Sequence, residues 1–289
     1  MTVADPPVTM RQVIADAAET LAAAGVGSPR VDAELLAAHV AGTDRGLVAF
    51  VEPDAAFLSR YRDLTARRAA RVPLQHLTGT AAFGPVVVDV GPGVFIPRPE
   101  TESLLEWALA QPLSGSARIV DLCTGSGALA LALAQGFPGA TVFAVDDSDD
   151  ALVYTRRNTA GTAVHVVRAD VTDAGLLTEL DRSVDLLVSN PPYIPDAAEL
   201  EPEVAEHDPA HALYGGADGM AVIEHLAGVA ARLLRPGGRC AVEHDDSTSQ
   251  ATVEVFVRAG GFTEVTARHD LTGRPRFVTA VRNGERVAR

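Results

Sequence analysis

The sequence predicts an α/β fold with a mostly parallel sheet, preceded by a small bundle of helices. From about residue 115 onward, short apolar segments of strand character alternate with segments of helical periodicity. This alternation is typical of a parallel sheet covered by helices on both faces. Residues 1–75 contain nine acidic residues and eight arginines, a net charge of −1, so the rest of the chain carries −13 of the total −14. We therefore predict a helical bundle at residues 1–77, a β-hairpin linker at 78–97 and an α/β domain at 98–289.

The helical bundle is predicted from the spacing of apolar residues. Between Ile14 and Ala22 they recur at intervals of three and four, which is the period of one helix face. Ser28-Pro29 is typical of an N-cap and first turn, and Gly42 of a helix end. A further short helix is expected around residues 57–64. We interpret the five arginines from Arg60 to Arg71 as a solvated helix face rather than a binding surface.

The linker is predicted from one alternating segment and one turn. Valines alternate from Val86 to Val90, which is a strand pattern. Gly91-Pro92-Gly93 then favours a turn. We expect this turn to bring residues 94–96 back beside the strand as a hairpin.

The α/β domain is predicted to have a seven-stranded, Rossmann-like sheet. Strands are expected at residues 119–123, 142–146, 164–168, 184–189, 239–243, 264–268 and 277–281. Helices are expected between most of them, at residues 129–135, 151–158, 221–234 and 250–259.

Composition excludes several classes of protein. With 47% apolar and 21% charged residues in a chain of 289, wholesale disorder is excluded. Apolar runs such as Ala128–Ala134 are too short to cross a bilayer, and residues 1–7 lack the pattern of an export signal. We expect a soluble, cytoplasmic protein that does not bind membranes.

The charged and sulfur-containing residues exclude several kinds of cross-link, metal site and catalytic group, and they argue against one class of partner. Cys123 and Cys240 cannot form a disulfide framework, and neither has a partner at the spacing of a cysteine-built zinc site. Every basic residue other than histidine is arginine, which excludes a lysine Schiff base and a P-loop lysine. The net charge of −14 opposes direct binding to DNA.

A glycine-rich turn follows the first strand of the predicted sheet. In the segment Asp121-Leu-Cys-Thr-Gly-Ser-Gly127, the two glycines let the backbone approach a ligand at the start of a helix. Asp146 comes nineteen residues after Gly127, at the end of the next strand, where a carboxylate can accept hydrogen bonds from both ribose hydroxyls. This pattern predicts an adenosine-containing cofactor, and it also fits a dinucleotide.

A second polar segment, Asn190-Pro-Pro-Tyr193, follows a buried strand. The prolines fix the backbone and lack N–H groups, so neighbouring carbonyl oxygens stay available as acceptors. Asn190 adds a side-chain oxygen. Such a loop can receive a planar NH₂ group, with the ring of Tyr193 available to pack on its face.

Together these segments resemble methyltransferases that modify amino groups. The more specific resemblance is to the release-factor glutamine methyltransferases, the PrmC/HemK family, and it covers nearly the whole chain in order. It rests on the following segments: Ser28–Gly42, Pro73–Gly79, Phe83-Gly84, Ile96-Pro-Arg-Pro-Glu-Thr-Glu102, Leu234–Gly238 with Glu243, and Asp270–Arg276. The chain departs from the family pattern at His76, at Asp208-Pro209 and in the loop from Glu243 to Gln250.

The resemblance implies a class I S-adenosylmethionine-dependent methyltransferase domain and a helical domain that recognises the substrate. The implied reaction methylates the side-chain amide of glutamine in the Gly-Gly-Gln motif of peptide chain release factors, and S-adenosyl-L-homocysteine is the product. The implied catalytic residues are Asn190, Pro191, Pro192 and Tyr193, with the Asn190 side chain and the Pro191 carbonyl gripping the amide. The implied cofactor-binding residues are Cys123, Thr124, Gly125, Ser126, Gly127, Asp146, Asp170, Val171 and Asn190.

Several readings remain beside this one. A DNA adenine-N6 methyltransferase and a glutamine methyltransferase of a ribosomal protein would use the same Asn190 loop. A nicotinamide-dependent oxidoreductase would explain the glycine turn alone, and a non-catalytic module that binds translation factors would need no cofactor loop. We expect no metal at His207 and His211, because HExxH order is absent. Asp121 is expected either to brace the glycine loop or to cap local amides.

Overall fold

The computed structural model describes residues 8–284. Residues 1–7, which lack the pattern of an export signal, lie outside the described residues. So do residues 285–289, at the end of the predicted α/β domain. The helices in chain order are α1 (Met10–Ala23), α2 (Pro29–Ala41), α3 (Ala55–Ala69), α4 (Leu74–Thr78), α5 (Glu102–Leu109), α6 (Ala128–Gly136), α7 (Asp149–Asn158), α8 (Pro202–His207), α9 (Ala210–Leu213), α10 (Ala221–Leu233) and α11 (Ser249–Ala259). The strands are β1 (Thr80–Phe83), β2 (Val86–Asp89), β3 (Arg118–Leu122), β4 (Thr141–Asp146), β5 (Val164–Arg168), β6 (Val184–Ser189), β7 (Leu234–Glu243), β8 (Phe262–His269) and β9 (Pro275–Arg282). None of the described helices is both long and apolar enough to cross a bilayer.

The chain divides into two compact units. Of the described residues, the first contains 8–80 and the short segment 201–207, and the second contains 81–200 and 208–284. The segment 201–207 therefore belongs to the first unit, although it lies between two parts of the second unit in sequence.

The first unit is built around buried faces of α1, α2 and α3. Ile14, Leu36 and Tyr61 are among its buried side chains. Helix α2 begins at Pro29, as predicted, but the Ser28 side chain makes no capping hydrogen bond. Gly42 ends α2 in the left-handed conformation, with φ of 62°, which glycine adopts without steric cost.

The arginines of α3 do not all lie on a solvated face, so that prediction was partly wrong. Arg68 is 5% exposed, and its Nε lies 2.7 Å from Asp32 Oδ2. Its Nη2 lies 3.0 Å from Glu203 Oε1. Arg71 Nε also contacts Glu203, at 2.8 Å. A buried guanidinium requires such partners because an unpaired charge is costly away from water.

The hairpin pairs β2 with β1, which precedes it, and not with residues 94–96. The turn between the strands uses Gly84 at φ of 49°, and the Gly84 amide donates to Glu102 Oε1 at 3.1 Å. Val94 and Ile96 are buried in the core without belonging to a strand. Their segment lies between Pro92 and Pro97, which lack the N–H groups that strand pairing needs.

The second unit has a seven-stranded sheet in the order β5-β4-β3-β6-β7-β9-β8. The pairs from β5 to β7 are parallel, and β9 pairs antiparallel with both β7 and β8. This confirms the predicted mostly parallel fold. Residues on β3 alternate between two cores, since Ile119 packs with α5 and α6 while Val120 packs with α10 and α11. Helices thus cover both faces.

The register of the parallel strands brings the predicted site together. Leu122 on β3 pairs with Val145 on β4 and with Ser189 on β6, and Ser189 pairs with Val242 on β7. The residues that follow these positions lie at one carboxyl edge of the sheet. The strand order reverses between β3 and β6, and open α/β sheets bind ligands at such a point.

Candidate active site

A cavity of about 290 Å³ lies at this carboxyl edge, within the second unit. Loops that follow β3, β4, β5 and β6 contribute to its wall. The sequence-predicted residues that line it are Cys123, Thr124, Gly125, Ser126, Asp146, Asp170, Val171, Asn190 and Pro192. Gly127, Pro191 and Tyr193 were also predicted as site residues but are not part of the cavity wall.

The glycine loop after β3 is held from behind by α7. Thr155 Oγ1 donates to the carbonyl oxygen of Gly125 at 2.7 Å, and Asn158 Nδ2 donates to the carbonyl oxygen of Ser126 at 2.9 Å. Gly127 has φ of 80°, and a Cβ atom there would lie 3.0 Å from Thr155 Cγ2. Gly127 therefore permits the close packing of loop and helix rather than forming part of the wall.

Asp121 fixes the loop from inside the sheet. It is 1% exposed, and its Oδ2 accepts hydrogen bonds from Thr124 Oγ1 at 2.5 Å and from the Ala130 amide at 3.1 Å. Burial raises its pKa to about 7, against the lowering effect of these two bonds. Asp121 thus both braces the loop and caps an amide in the first turn of α6, so the two expectations hold together.

Two further aspartates lie along the cavity. Asp146 accepts hydrogen bonds from the Gly125 amide at 2.8 Å and from the Ser148 amide at 3.0 Å. Burial nevertheless raises the pKa of Asp146. The Thr172 amide and hydroxyl both bond Asp170 Oδ1, and they lower the pKa of Asp170. Each carboxylate has more lone pairs than these bonds use, so both can accept hydrogen bonds from a ligand.

The cavity wall is acidic. It includes four aspartates (Asp121, Asp146, Asp147, Asp170), and none of its described residues is an arginine. Such a wall favours a ligand that carries positive charge and disfavours a pyrophosphate group. A dinucleotide is therefore a poorer match to this cavity than an adenosine cofactor that carries a cation.

The loop after β6 presents Asn190 to the cavity. Its Nδ2 donates to Thr101 Oγ1 at 3.1 Å, which leaves Oδ1 as the acceptor on the other side of the amide. Tyr193 does not reach the wall, because it packs partly buried against the core that contains α10 and α11. Its hydroxyl donates to Glu243 Oε1 at 2.8 Å. Packing of the Tyr193 ring on a substrate amide stays a prediction.

Comparisons with known proteins show relatives that share most of this chain. A family model described as the PrmC N-terminal domain matches residues 12–79, and one described as the methyltransferase small domain matches residues 97–256. A protein of Mycolicibacterium smegmatis named release factor glutamine methyltransferase is 67% identical over 94% of this chain and 98% of its own length. Its namesake in Mycobacterium tuberculosis strain H37Rv is 62% identical over 96% of this chain and 92% of its own length. The chain belongs to the release factor glutamine methyltransferase family.

The fold has a solved counterpart at low sequence identity. The crystal structure of a methyltransferase from Pyrococcus furiosus superposes with a TM-score of 0.54 at 19% identity, covering 76% of this chain and all of that one. This likeness supports the α/β fold alone. The predicted resemblance to the PrmC/HemK family is confirmed by the closer relatives.

His211 was considered from the sequence only as a metal ligand, and Asp147 was not singled out. His211 Nε2 lies 2.8 Å from Asp147 Oδ1, and both residues line the cavity. The hydrogen bond to Asp147 raises the pKa of His211. No short motif links these two residues, because 64 positions separate them. Among residues 8–284, no group of three or more His, Cys, Asp or Glu side chains is arranged to hold a metal ion.

Thr101 and Glu243 contact predicted site residues but were not themselves predicted, although both lie in segments that carried the family resemblance. Thr101 lines the cavity and is 4% exposed. Glu243 is fully buried, and burial raises its pKa to about 7. What distinguishes them is their contacts, Thr101 with Asn190 and Glu243 with Tyr193, and these contacts cannot be read from their sequence positions.

Proposed function

We propose that this protein transfers a methyl group from S-adenosylmethionine to the side-chain amide nitrogen of glutamine in the Gly-Gly-Gln motif of peptide chain release factors. Membership of the family supports the reaction and its substrate. The observation that carries the proposal is the position of Asn190, which lines the same cavity as the glycine loop. A nucleophile held at Asn190 would meet a cofactor held by that loop.

The residues present suit the cofactor. Asp146 would accept hydrogen bonds from the ribose hydroxyls, and Asp170 with Val171 would flank the adenine. The glycine loop from Cys123 to Gly127 would hold the methionine end. The sulfonium of the cofactor supplies an electrophilic methyl group, and the acidic wall favours its positive charge.

The contribution of the Asn190 loop is positioning and electrostatic stabilisation. An amide nitrogen is a weak nucleophile because its lone pair is delocalised into the carbonyl group. The Asn190 Oδ1 and the Pro191 carbonyl oxygen would accept the two N–H bonds of the substrate and orient its nitrogen toward the methyl group. Both acceptors also stabilise the positive charge that develops on nitrogen. The nitrogen then becomes strongly acidic, so its proton can leave to water.

Methyl transfer to purified substrates tests the proposal. Labelled S-adenosylmethionine is supplied with a peptide release factor, with the same factor carrying alanine in place of the Gly-Gly-Gln glutamine, and with duplex DNA. We expect label on the unmodified factor alone. Label on DNA, or equal label on the alanine variant of the factor, would overturn the substrate assignment. Transfer to a ribosomal protein but not to the release factor would place the chain's activity in the alternative glutamine methyltransferase class.

A further inference from the structure

Methyl transfer to an amide nitrogen requires one particular orientation of the Asn190 side chain. The carboxamide has an acceptor oxygen on one side and a donor NH₂ on the other. If the group were rotated by half a turn, Nδ2 would face the N–H bonds of the substrate, and two donors would oppose each other. Another group of the protein must therefore hold the Asn190 carboxamide in the orientation that turns Oδ1 toward the substrate.

We propose that Thr101 is a positioning residue for this reaction: its hydroxyl accepts the Asn190 amide protons and so turns Oδ1 toward the substrate nitrogen. The inference rests on the proposed function, because it concerns the same amide substrate. It adds a residue from another part of the fold to the catalytic loop.

The geometry supports this role directly. Asn190 Nδ2 lies 3.1 Å from Thr101 Oγ1, and both residues line the cavity. Thr101 is 4% exposed and ends a short 3-10 turn, Pro99–Thr101, just before α5. Water competes poorly for a hydroxyl that is this deeply buried, so the bond to Asn190 is retained.

The neighbouring Glu243 gives the Thr101 hydroxyl its direction. A threonine hydroxyl can donate one bond or accept others, and by itself it would suit either orientation of Asn190. An ionised carboxylate can only accept. The hydroxyls of Tyr193 and Thr101 both favour the ionised form of Glu243, the Tyr193 hydroxyl more strongly. With its proton directed at Glu243, the Thr101 oxygen is left to accept from Asn190.

Glu243 is placed to serve both hydroxyls. It follows Val242, which pairs with Ser189 immediately before Asn190. Tyr193 Oη donates to Oε1 at 2.8 Å. Oε2 is buried and accepts no hydrogen bond of full geometry. The Thr101 hydroxyl lowers the pKa of Glu243 less than the Tyr193 hydroxyl does.

Removing the Thr101 hydroxyl tests the proposal. Thr101→Val keeps the shape of the side chain and loses the acceptor, and Thr101→Ser restores it. We expect Thr101→Val to lower kcat on the order of 10²-fold, with the Kd for S-adenosylmethionine unchanged within about twofold. Thr101→Ser should recover most of the loss. In an Asn190→Ala background, Thr101→Val should have little further effect.

A matched control separates this role from loss of a buried hydroxyl in general. Thr252 on α11 is fully buried, bonds the Thr248 carbonyl oxygen at 3.0 Å and is not part of the cavity wall. Thr252→Val should leave kcat unchanged. The proposal is overturned if Thr101→Val retains full kcat, if Thr101→Ser is as inactive as Thr101→Val, or if the two changes at Thr101 and Asn190 add independently.

A second measurement needs no substrate and so separates this proposal from the proposed function. In protein labelled with isotopic nitrogen at asparagine, the NMR signal of the Asn190 side-chain NH₂ is identified by its loss in Asn190→Ala. We expect slow exchange of these protons with water in the unmodified protein and faster exchange in Thr101→Val. Equal exchange rates in the two proteins would overturn the positioning role even if the release factor is methylated. The expected difference would support it even if the substrate proves to be another protein.

The pH profile gives a third readout. When Glu243 is protonated it can donate to Thr101, and the direction of that bond is no longer fixed. Besides Tyr193 and Thr101, the charges of Arg276 and Glu100 act on Glu243, and only Arg276 favours ionisation. The acid limb of the kcat profile should therefore vanish in Glu243→Gln, which cannot ionise, and also in Thr101→Val. If neither Glu243→Gln nor Thr101→Val changes the acid limb, Glu243 does not set the direction of the Thr101 hydroxyl.

Discussion

At the scale of single residues, Asn190 is the side chain on which the proposed methyl transfer depends most directly. Asn190→Ala removes the oxygen that is expected to accept a substrate N–H bond. We predict a loss in kcat on the order of 10²–10³-fold, the cost typical of removing one preorganised polar contact. The Kd for S-adenosylmethionine, measured by calorimetry, should change little, because the glycine loop and Asp146 remain. Turnover equal to that of the unmodified enzyme would refute the role of Asn190.

Glu243 makes a separate prediction about stability. Burial raises its pKa to about 7, whereas the unfolded chain has an ordinary carboxyl pKa near 4.3. Between these values the folded state holds a proton that the unfolded state has lost, so the free energy of unfolding falls as pH rises from about 4 to 7. We predict that Glu243→Gln, which cannot ionise, removes a decline on the order of 3 kcal/mol from this range.

Urea unfolding at a series of pH values measures this effect. Glu254→Gln is the matched control, because Glu254 is an exposed carboxylate on the neighbouring α11 that bonds Gln250. The control should retain the pH dependence of the unmodified protein. If the free energy of unfolding depends on pH identically in Glu243→Gln and in the unmodified protein, the pKa of Glu243 is not raised by folding.

At the scale of secondary-structure elements, the glycine loop that we propose as part of the cofactor site packs against α7. Gly127→Ala places a methyl group 3.0 Å from Thr155 Cγ2 in a backbone conformation with φ of 80°. We predict destabilisation of about 1–3 kcal/mol together with weaker binding of S-adenosylmethionine, since a shift of the loop moves its neighbours Gly125 and Ser126.

Gly161→Ala separates backbone strain from this contact. Gly161 has φ of 76°, and a Cβ atom there would have no atom within 4 Å. The control should lose about 1 kcal/mol of stability and keep its cofactor affinity. If both variants bind the cofactor like the unmodified protein, close packing at Gly127 is not what shapes the site.

The elements show how far sequence reasoning extends. Strands β3 and β6 were predicted almost to their ends because a strand buried on both faces is rich in Val, Ile and Leu at successive positions, although Asp121 and Asp185 interrupt the apolar residues of these two strands. The hairpin partner was wrong because Thr80–Phe83 contains two alanines and little strand signal, whereas residues 94–96 are strongly apolar. Tertiary packing buries Val94 and Ile96 without strand pairing. Local pattern identified the apolar segments but not every pairing.

The features of the site likewise fall into two groups: those that the local sequence predicts and those that it does not. The glycine loop, Asp146 and Asn190 were predictable because each lies at a fixed distance from a recognisable strand. The bonds from Asn190 to Thr101 and from Tyr193 to Glu243 join residues 89 and 50 positions apart. Such bonds depend on strand order and register, which the local sequence leaves open. Part of the catalytic geometry is therefore visible only after the sheet is assembled.

At the scale of the whole molecule, the chain passes from the second unit into the first and back again between Asn190 and Pro209. The chain leaves the second unit after Leu200, contributes residues 201–207 to the first, and returns at Asp208. Asp208 forms an ion pair with Arg98 in the second unit. Pro209 and His211, which follow at once, line the cavity. Only Asp208 separates segment 201–207 of the first unit from Pro209 in the chain.

Glu203 holds this segment to the first unit. It accepts hydrogen bonds from Arg68 at 3.0 Å and from Arg71 at 2.8 Å, and the Arg68 side chain is 6% exposed. Glu203→Gln removes the charge but keeps the shape. We predict a loss of about 1–3 kcal/mol of stability, less than for a fully isolated charge, because Arg68 retains Asp32.

The same substitution should affect substrate binding more than chemistry. A loosened segment 201–207 increases the freedom of the chain between the catalytic loop and Pro209, so we expect a several-fold higher KM for the release factor with kcat nearly unchanged. Glu201→Gln is the control, because Glu201 pairs with Arg71 at 3.5 Å while its side chain is 79% exposed, and exposed pairs contribute little. Steady-state kinetics of both variants decide the matter. If Glu203→Gln leaves KM unchanged while the loss of stability is observed, the ion pairs of Arg68 serve the helical unit alone.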